Sequence, residues 1–170
     1  MSGQGSTQTV IDSLEFARAE QTLRGSLPLP GLTRLRESLV DTIGVVEFEV
    51  KGGHDARRRP ILMLAIHGIL RLQCQRCLGA LEHPLEILNR LLLATAGESA
   101  AGVPDEEDSE WVEASGHLDV ASLVEDEIIL SLPYAPTHKE GSCRQTGTTA
   151  ADGAAASAFA KLAVLKQNNN

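Results

Sequence analysis

Two runs of alternating apolar residues constrain the fold of this sequence more than any other feature. In residues 46–50, Val, Phe and Val alternate with two glutamates, which is the two-residue period of a half-buried β-strand. Residues 61–74 continue in the same way, with five aliphatic side chains on one predicted face: Leu62, Leu64, Ile66, Leu70 and Leu72. Because Gly52, Gly53 and Pro60 separate the two runs, we predict an antiparallel β-hairpin.

A third strand is predicted after the hairpin. Residues 81–88 alternate between apolar and polar side chains and follow a turn that contains Cys77 and Gly79. Pro84 lies inside this run, and because proline has no backbone N–H to donate, we expect an exposed strand edge there. Trp111 and Val112 are typical of a short further strand.

Helical signals lie on both sides of the predicted strands. Asp119 is a favourable N-cap, and apolar residues follow it at helical spacing until Pro133 ends the run. An apolar stripe over residues 32–43 predicts a second amphipathic helix, and residues 12–23 favour a short one. The sequence therefore predicts an α+β fold, with helices packed on an antiparallel β-sheet.

The length of 170 residues is sufficient for one domain with tails. We assign residues 12–143 to a single α+β domain. Residues 1–11 are small and polar, which predicts a disordered N-terminus. Residues 144–170 are predicted to form a flexible linker and a short apolar motif, which is either a fraying terminal helix or a peptide that docks on this domain or a partner.

Cysteine content and hydropathy indicate the compartment. Three cysteines are too few for a disulfide-stapled secreted domain, and an odd number leaves one thiol unpaired. The first residues lack the basic and apolar regions of a signal peptide, and no apolar run reaches the ~18 residues of a membrane span. We therefore expect a cytoplasmic protein without a membrane partner.

The formal net charge of −8 is concentrated in one part of the chain. Residues 98–140 contain twelve acidic side chains and one basic residue, Lys139, whereas residues 1–97 are nearly neutral. The acidic segment is either a solvated loop or a surface that meets a basic partner. Residues 57–59, three consecutive arginines, are predicted at the hairpin tip, either as a solubilising turn or as a contact for phosphate.

The densest group of chemically versatile residues is a C-x-x-C motif. Cys74 and Cys77 lie at the predicted turn between two strands and would supply half of a tetrahedral zinc site. His138 and Cys143 are the only His and Cys close together in sequence and would complete the site, with His83 as a third option. The alternative is a pair of small buried thiols that packs the end of the hairpin.

Enzymatic alternatives have little support in the sequence. A thioredoxin-like role would place the first thiol of the C-x-x-C motif at a helix N-terminus, whereas strands flank it here. The sequence contains no P-loop, dinucleotide-binding glycine motif, zinc-protease motif or nucleophile elbow. We therefore predict that the protein is not an enzyme, and no cofactor is predicted beyond the hypothetical zinc.

These motifs together resemble a known family. Residues 72–78 around the C-x-R-C motif, residues 118–133 with V-E-D-E-I-I-L, then His138 and Cys143, and finally residues 159–166 occur in the order seen in the YceD family. The resemblance implies a non-enzymatic factor in ribosome biogenesis that supports accumulation or processing of large-subunit (23S) ribosomal RNA. It supplies no catalytic residues.

The resemblance also implies candidate partners and contacts. We expect the partner to be a large-subunit ribosomal RNA precursor or a basic ribosomal or RNA-processing protein. Arg76, between the two cysteines, is the first candidate for an interaction with it, or it only caps the turn. Glu125 and Glu127 follow, or they belong to a solvated helix face. The alternative function is a zinc-stabilised adaptor or regulatory protein unrelated to ribosomes.

Overall fold

The computed structural model describes residues 10–95 and 110–143. The strands within these ranges are β1 Val10–Ile11, β2 Thr22–Pro28, β3 Val45–His54, β4 Pro60–Gln73, β5 Ala80–Ala94, β6 Glu110–Glu113 and β7 Leu118–Asp119. The helices are α1 Ser13–Arg18 and α2 Val120–Ser131, with 3-10 turns at Leu29–Gly31 and Leu35–Ser38. The five-stranded sheet has the order β2-β3-β4-β5-β6, and β1 pairs with β7. The predicted α+β class is confirmed.

The β3–β4 hairpin has the predicted antiparallel register. Val46 lies opposite Gly68, and His54 lies opposite Pro60, so the three arginines at 57–59 form the tip of the hairpin. The five aliphatic side chains predicted on one face of β4 are all at most 2% exposed. They form the centre of a hydrophobic core that also contains residues of β3, β5 and α2.

Strand β5 is longer than predicted and has two differently paired ends. It is antiparallel to β4 from Ile61 opposite Leu92 to Gln73 opposite Ala80. On its other side, among the residues that the structure describes, the paired part is Leu91–Ala94, which runs parallel to β6. Pro84 lies outside this paired part and is exposed, so the predicted exposed edge at the proline is confirmed.

Helix α1 packs on β3 at very short range. Its N-cap is Asp12, whose carboxylate accepts the backbone N–H of Glu15 at 2.9 Å. A Cβ placed on Gly52 of β3 would lie 2.3 Å from the carbonyl oxygen of Phe16, so only glycine allows this contact. The helix is shorter than predicted because the chain from Thr22 onward pairs with β3 as strand β2.

The first two described residues form strand β1. Val10 pairs with Asp119 and Ile11 pairs with Leu118, which form the small β1–β7 sheet. The predicted disordered N-terminus was residues 1–11, so its last two residues are strand residues instead. Residues 1–9 lie outside the described residues, as does the predicted C-terminal linker and motif.

Helix α2 confirms the strongest helical prediction. Asp119 is its N-cap, and the carboxylate accepts the backbone N–H of Ala121 at 2.9 Å. Four apolar residues of the helix are buried in the core: Val120, Leu123, Val124 and Ile128. At the other end, Leu132 is extended and Pro133 follows, so the chain leaves the helix where the proline predicted it.

The helix predicted over residues 32–43 is wrong. Only the 3-10 turn Leu35–Ser38 is helical in this region. Beyond it, the backbone N–H of Val40 donates to the carbonyl oxygen of Arg71 at 2.7 Å, so the chain pairs with β4 instead of continuing a helix. Ile43, at the end of the predicted apolar stripe, is 77% exposed.

Among the residues that the structure describes, no helix has the length and apolar character required to cross a membrane.

Candidate metal centre

The turn between β4 and β5 places two thiols at the end of a long hairpin. Cys74 directly follows β4, and its backbone N–H donates to the carbonyl oxygen of Gly79 at 2.9 Å. The backbone N–H of Leu78 donates to the carbonyl oxygen of Cys74 at 2.9 Å, and Leu78 has a left-handed φ of 59°. This tight turn folds Cys77 back toward Cys74.

The segment that follows α2 returns to this turn and is held there by backbone contacts. The backbone N–H of Gln75 donates to the carbonyl oxygen of Pro136 at 2.8 Å. The guanidinium of Arg76 donates to the carbonyl oxygen of His138 at 2.9 Å, and the backbone N–H of His138 lies 3.4 Å from Sγ of Cys74. These contacts bring a distant part of the sequence to the C-x-x-C motif.

Four potential ligand atoms meet at this point, one each from Cys74, Cys77, His138 and Cys143, and all lie within 4.8 Å of one another. Nδ1 of His138 is 3.4 Å from Sγ of Cys77 and 3.8 Å from Sγ of Cys143. The sulfurs of Cys74 and Cys143 are 3.9 Å apart. Ordinary zinc bond lengths in a regular tetrahedron give S–N edges of about 3.6 Å and S–S edges of about 3.8 Å. The observed distances match these edges.

The imidazole of His138 is fixed in the tautomer that a metal ligand requires. Its Nε2 lies 3.1 Å from the carbonyl oxygen of Ala80. A carbonyl oxygen can only accept, so Nε2 carries the proton and donates. In the neutral ring, Nδ1 is then unprotonated, and its lone pair is directed at the sulfurs. Histidines that bind metals commonly donate their other N–H to a carbonyl or a carboxylate in this way.

The thiols of the cluster have different protonation tendencies. Burial raises the pKa of Cys74, but hydrogen bonds from the backbone N–H groups of Cys77, His138 and Arg76 outweigh it and lower the pKa to about 5. Burial, together with hydrogen bonds to Cys77 and Cys74, raises the pKa of Cys143 to about 11. A thiolate that accepts several N–H groups is the form in which cysteine binds a metal.

The three cysteines are free thiols. The 3.9 Å between the sulfurs of Cys74 and Cys143 is far longer than the ~2.05 Å of a disulfide bond. His83, the third option from the sequence, is not among the four clustered residues. The structure therefore brings together the four predicted ligands and leaves His83 on β5.

Comparison with known proteins gives the family. The family model described as "Large ribosomal RNA subunit accumulation protein YceD" matches residues 62–166. This chain belongs to the YceD family. A curated protein of the same description from Haemophilus influenzae is 24% identical over 133 residues, which cover 78% of this chain and 76% of the relative. No solved structure matches the chain. The family predicted from the sequence is confirmed.

The region that matches the YceD family contains all four cluster residues and Arg76. Arg76 has an exposed side chain, and its contact with the carbonyl oxygen of His138 joins the C-x-x-C turn to the segment after α2. Its positive charge also favours the thiolate of Cys143. Arg76 therefore has a structural contact beside the cluster, and its predicted contact with a partner stays a prediction.

Glu125 of the YceD-matched helix α2 has a defined structural contact. It is 6% exposed, and its Oε1 accepts the backbone N–H of Arg34 at 2.7 Å and that of Leu35 at 3.0 Å. Its Oε2 accepts Nε of Arg34 at 3.1 Å. The carboxylate thus satisfies N–H groups at the start of a 3-10 turn, which have no partner within the turn. Its predicted interaction with a partner stays a prediction.

Glu127 faces the sheet from the same helix. It is 7% exposed, and its Oε2 accepts Nδ2 of Asn89 on β5 at 2.6 Å. The same amide group of Asn89 also donates to Glu110 of β6. Burial raises the pKa of Glu127, against the hydrogen bond from Asn89. The side chain therefore links α2 to two strands, and its predicted role toward a partner stays a prediction.

The sequence pattern did not reveal which residues donate hydrogen bonds to the carboxylates of Glu125 and Glu127. Arg34 lies on the predicted but absent helix, and Asn89 follows the end of the third predicted strand. Apolar residues on several sides of α2 indicate that the helix is buried. A buried carboxylate requires a hydrogen-bond donor nearby, so the pattern indicates that donors must be present. It does not identify which donor the fold supplies.

Proposed function

We propose that this chain supports accumulation or processing of large-subunit (23S) ribosomal RNA, as a non-enzymatic factor in ribosome biogenesis. The observation that carries the proposal is the match of residues 62–166 to the YceD family. That range includes β4, β5, α2 and the four clustered ligand residues. The relative from Haemophilus influenzae carries the name of a large ribosomal RNA subunit accumulation protein.

The geometry of the reactive side chains supports a non-enzymatic role. Cys77 and His138 are the nearest approach to a nucleophile–base pair among residues 10–95 and 110–143, with Sγ 3.4 Å from Nδ1. A catalytic pair of this kind needs one thiol beside the imidazole and access for a substrate. Here Nδ1 faces the sulfurs of Cys77 and Cys143, and Nε2 is bonded to a backbone carbonyl. This arrangement favours metal binding.

We further propose that RNA is contacted at the β3–β4 hairpin end of the sheet. Lys51, Met63 and Arg90 lie side by side on three neighbouring strands. Lys51 is exposed, and Arg90 is 53% exposed at its side chain. Residues 57–59 add three arginines at the adjacent tip. Clustered basic side chains are the usual contact for phosphate. This group, Lys51, Arg57–Arg59 and Arg90, is called the basic hairpin end below.

An aromatic residue lies near the basic hairpin end. Trp111 on β6 is 50% exposed and pairs with Leu92, which in turn lies opposite Ile61 of β4. Arg90 is two positions before Leu92, so it lies on the same face of the sheet. An exposed aromatic ring close to arginines can stack on unpaired bases, a common contact in RNA-binding proteins.

The described part of the acidic segment supports an RNA partner more than a basic protein partner. Five of its carboxylates have intramolecular contacts: Asp119 caps α2, Glu125 and Glu127 are buried in contact with their donors, Asp126 pairs with Arg34, and Glu110 accepts a hydrogen bond from Asn89. These groups stabilise the fold, which reduces the negative surface available to a basic protein. A basic protein partner remains the competing outcome of the experiments below.

The cellular role is tested by replacement of the relative. A Haemophilus influenzae strain that lacks its YceD protein is complemented with this chain, and the ratio of large- to small-subunit ribosomal RNA is measured. We expect the ratio to rise toward that of the parent strain. A chain that is expressed and folded but leaves the ratio at the level of the empty vector contradicts the proposed function.

The RNA contact is tested by charge reversal with a matched control. Lys51→Glu with Arg58→Glu changes two residues of the basic hairpin end, whereas Arg18→Glu with Arg36→Glu makes the same charge change at exposed positions elsewhere. We expect the first pair alone to weaken binding of a large-subunit RNA transcript and to reduce its salt dependence by about one ion per lost contact. Equal weakening by both pairs contradicts this contact.

The protein-partner alternative has its own readout. Crosslinking in growing cells, followed by purification of this chain, is scored for large-subunit precursor RNA and for protein. Recovery of RNA that depends on Lys51 and Arg58 supports the RNA contact. Recovery of a basic ribosomal protein without RNA, unaffected by the substitutions, contradicts it and favours a protein partner.

A further inference from the structure

We propose that Cys74, Cys77, His138 and Cys143 bind one Zn²⁺ ion, through three thiolates and Nδ1 of the imidazole. The ion fastens the segment after α2 to the turn between β4 and β5. This inference goes beyond the proposed role in ribosomal RNA accumulation and does not depend on it.

The first support is that the four donor atoms lie close enough together to surround one ion, all within 4.8 Å of one another. Three of the six donor–donor distances, 3.4, 3.8 and 3.9 Å, lie within about 0.2 Å of the edges of a zinc-centred tetrahedron. Two thiols that only pack the end of a hairpin have no reason to face a third cysteine and the lone pair of a histidine. The geometry therefore favours a metal site over simple thiol packing.

The second support is the chemistry of the donor set. Three soft thiolates and one imidazole in tetrahedral arrangement suit Zn²⁺, and they do not suit Mg²⁺ or Ca²⁺, which prefer oxygen ligands. Four protein ligands leave no open coordination position for water or substrate. Such closed sites stabilise structure, whereas catalytic zinc sites retain an open position.

The third support lies in the groups around the donors. The N–H groups of His138, Cys77 and Arg76 donate to Cys74, and the carbonyl oxygen of Ala80 orients the ring of His138. Three thiolates and one Zn²⁺ carry a net charge of −1, and the positively charged guanidinium of Arg76 lies beside the cluster, where it donates to the carbonyl oxygen of His138 at 2.9 Å. The surroundings thus compensate the charge of the filled site.

The ion has a structural role, because few other contacts hold residues 133–143 at the turn between β4 and β5. Residues 133–143 contain no helix or strand. Among the described residues, one backbone–backbone hydrogen bond joins this segment to the turn, from Gln75 to Pro136, and the other hydrogen bonds between them involve His138 or Cys143. His138 and Cys143 are both half-buried, so their metal bonds would supply most of the attachment. Bound zinc contributes directly to folding in sites of this kind.

The experiment measures metal in the purified full-length protein, prepared under reducing conditions and reconstituted with Zn²⁺. We expect about one zinc per chain by elemental analysis and native mass spectrometry. Replacement with Co²⁺ should give the absorption bands of tetrahedral cobalt bound to thiolates. Cys143→Ser and His138→Ala should each reduce the zinc content strongly, and His138→Cys should restore it.

His83→Ala is the matched control, because His83 lies on β5 near the same turn but outside the cluster. It should retain full zinc content. Cys74 is fully buried, so Cys74→Ser can fail by unfolding and is not used alone. Circular dichroism of the Cys143→Ser and His138→Ala variants separates loss of metal from loss of fold.

The consequence for the segment is tested by hydrogen exchange. Removal of zinc with a chelator should accelerate exchange in residues 133–143, while β3 and β4 retain their protection. Readdition of zinc should reverse the change.

Two results would overturn the proposal. One is a reduced and reconstituted protein that retains no more zinc than the His138→Ala variant, with thiols alkylated equally fast with and without zinc. The other is a disulfide between Cys74 and Cys143 in protein kept under reductant, which would indicate a redox pair. Because metal content is measured on purified protein, failure here is distinguishable from failure of the ribosomal RNA experiments.

Discussion

The carboxylate of Glu125 in α2 accepts the backbone N–H of Leu35 at 3.0 Å, across 90 residues of sequence. Leu35 is fully buried and begins a 3-10 turn that has no side-chain cap of its own. The acidic motif of α2 therefore acts as a cap for a distant turn. This explains why Glu125 is buried on a helix whose other buried side chains, apart from Glu127, are aliphatic.

We expect Glu125→Ala to destabilise the protein by about 2–4 kcal/mol, because it leaves two backbone N–H groups unsatisfied in a buried region. Glu125→Gln should cost less, since its amide oxygen can still accept those N–H groups. The free energy of unfolding from chemical denaturation measures both effects.

Asp126→Asn is the neighbouring control. Asp126 also pairs with Arg34, but its side chain is 48% exposed, and exposed ion pairs contribute about 0–1 kcal/mol. If Asp126→Asn destabilises as much as Glu125→Ala, the stabilisation comes from the charge of Arg34 and not from capping of the turn.

Gly52→Ala is expected to be strongly destabilising, by about 3 kcal/mol or more. The added Cβ would lie 2.3 Å from the carbonyl oxygen of Phe16 and 2.7 Å from Cα of Ala17. Both are backbone atoms, so no side-chain rotation relieves the overlap, and α1 must shift away from β3. Thermal unfolding of the variant measures the loss.

Gly53→Ala provides the control at the next position. No atom lies within 4 Å of a Cβ placed there, and its backbone needs no left-handed conformation. We expect a change within about 0.5 kcal/mol. Similar losses at both positions would indicate a general intolerance of β3 to alanine, contrary to the close contact with α1.

The sheet and the main helix were predictable because their patterns are decided locally. Alternation over residues 61–74 corresponds directly to the buried face of β4, and Asp119 and Pro133 mark the ends of α2. Residues 32–43 have an equally good helical pattern. There, contacts far away in sequence decide the structure, since the N–H of Val40 bonds to β4. The spacing of apolar residues along the sequence carries no information about such long-range contacts.

The candidate site was predictable in its residues but not in its arrangement. The spacing of Cys74 and Cys77 indicated half of a metal site, and His138 with Cys143 were the only neighbouring pair that could complete it. His83, which is nearer to the motif in sequence, was a third option. Only the return of the chain after α2 places His138 at the turn. The acceptor for Nε2 of His138 is the backbone carbonyl oxygen of Ala80, which the side-chain sequence does not reveal.

Asp55 gives a prediction for pH dependence. Its carboxylate, 2% exposed, accepts the backbone N–H of Arg57 at 2.9 Å and of Arg59 at 2.7 Å, and Nε of Arg59 at 2.6 Å. Burial raises the pKa of Asp55, but these hydrogen bonds outweigh it and lower the pKa below the ordinary aspartate value of 3.8. Because the folded pKa is below the unfolded one, stabilisation is present above pH 3.8 and is lost as the pH falls through the folded pKa.

We therefore expect Asp55→Asn to destabilise by about 1–3 kcal/mol near neutral pH. The difference from the parent protein should shrink in acid, below about pH 4. Urea denaturation at a series of pH values measures it. Glu49→Gln, which removes an exposed pair with Arg24, should show little effect. A difference for Asp55→Asn that is constant with pH would contradict an effect of the carboxylate charge.

Arg76 separates the two interpretations of the C-x-R-C motif. If it positions the cluster, Arg76→Met removes the hydrogen bond to the carbonyl oxygen of His138 and the positive charge near Cys143. We then expect zinc affinity, measured by competition with a chelator, to fall about 10-fold or more, the range typical of groups that support metal ligands. Arg71→Met removes a β4 arginine paired with Asp41 and should leave the affinity unchanged.

If Arg76 instead contacts a partner, the opposite combination is expected. Zinc affinity of Arg76→Met would equal that of the parent protein, while the ratio of large- to small-subunit ribosomal RNA in complemented cells would fall. Within the described part of the chain, the exposed guanidinium donates one hydrogen bond, to the carbonyl oxygen of His138, and a guanidinium has five N–H donors in all. The hydrogen bond to the segment after α2 therefore leaves other N–H groups of Arg76 available to a partner. If both zinc affinity and the ribosomal RNA ratio fall, Arg76 both positions the cluster and contacts a partner.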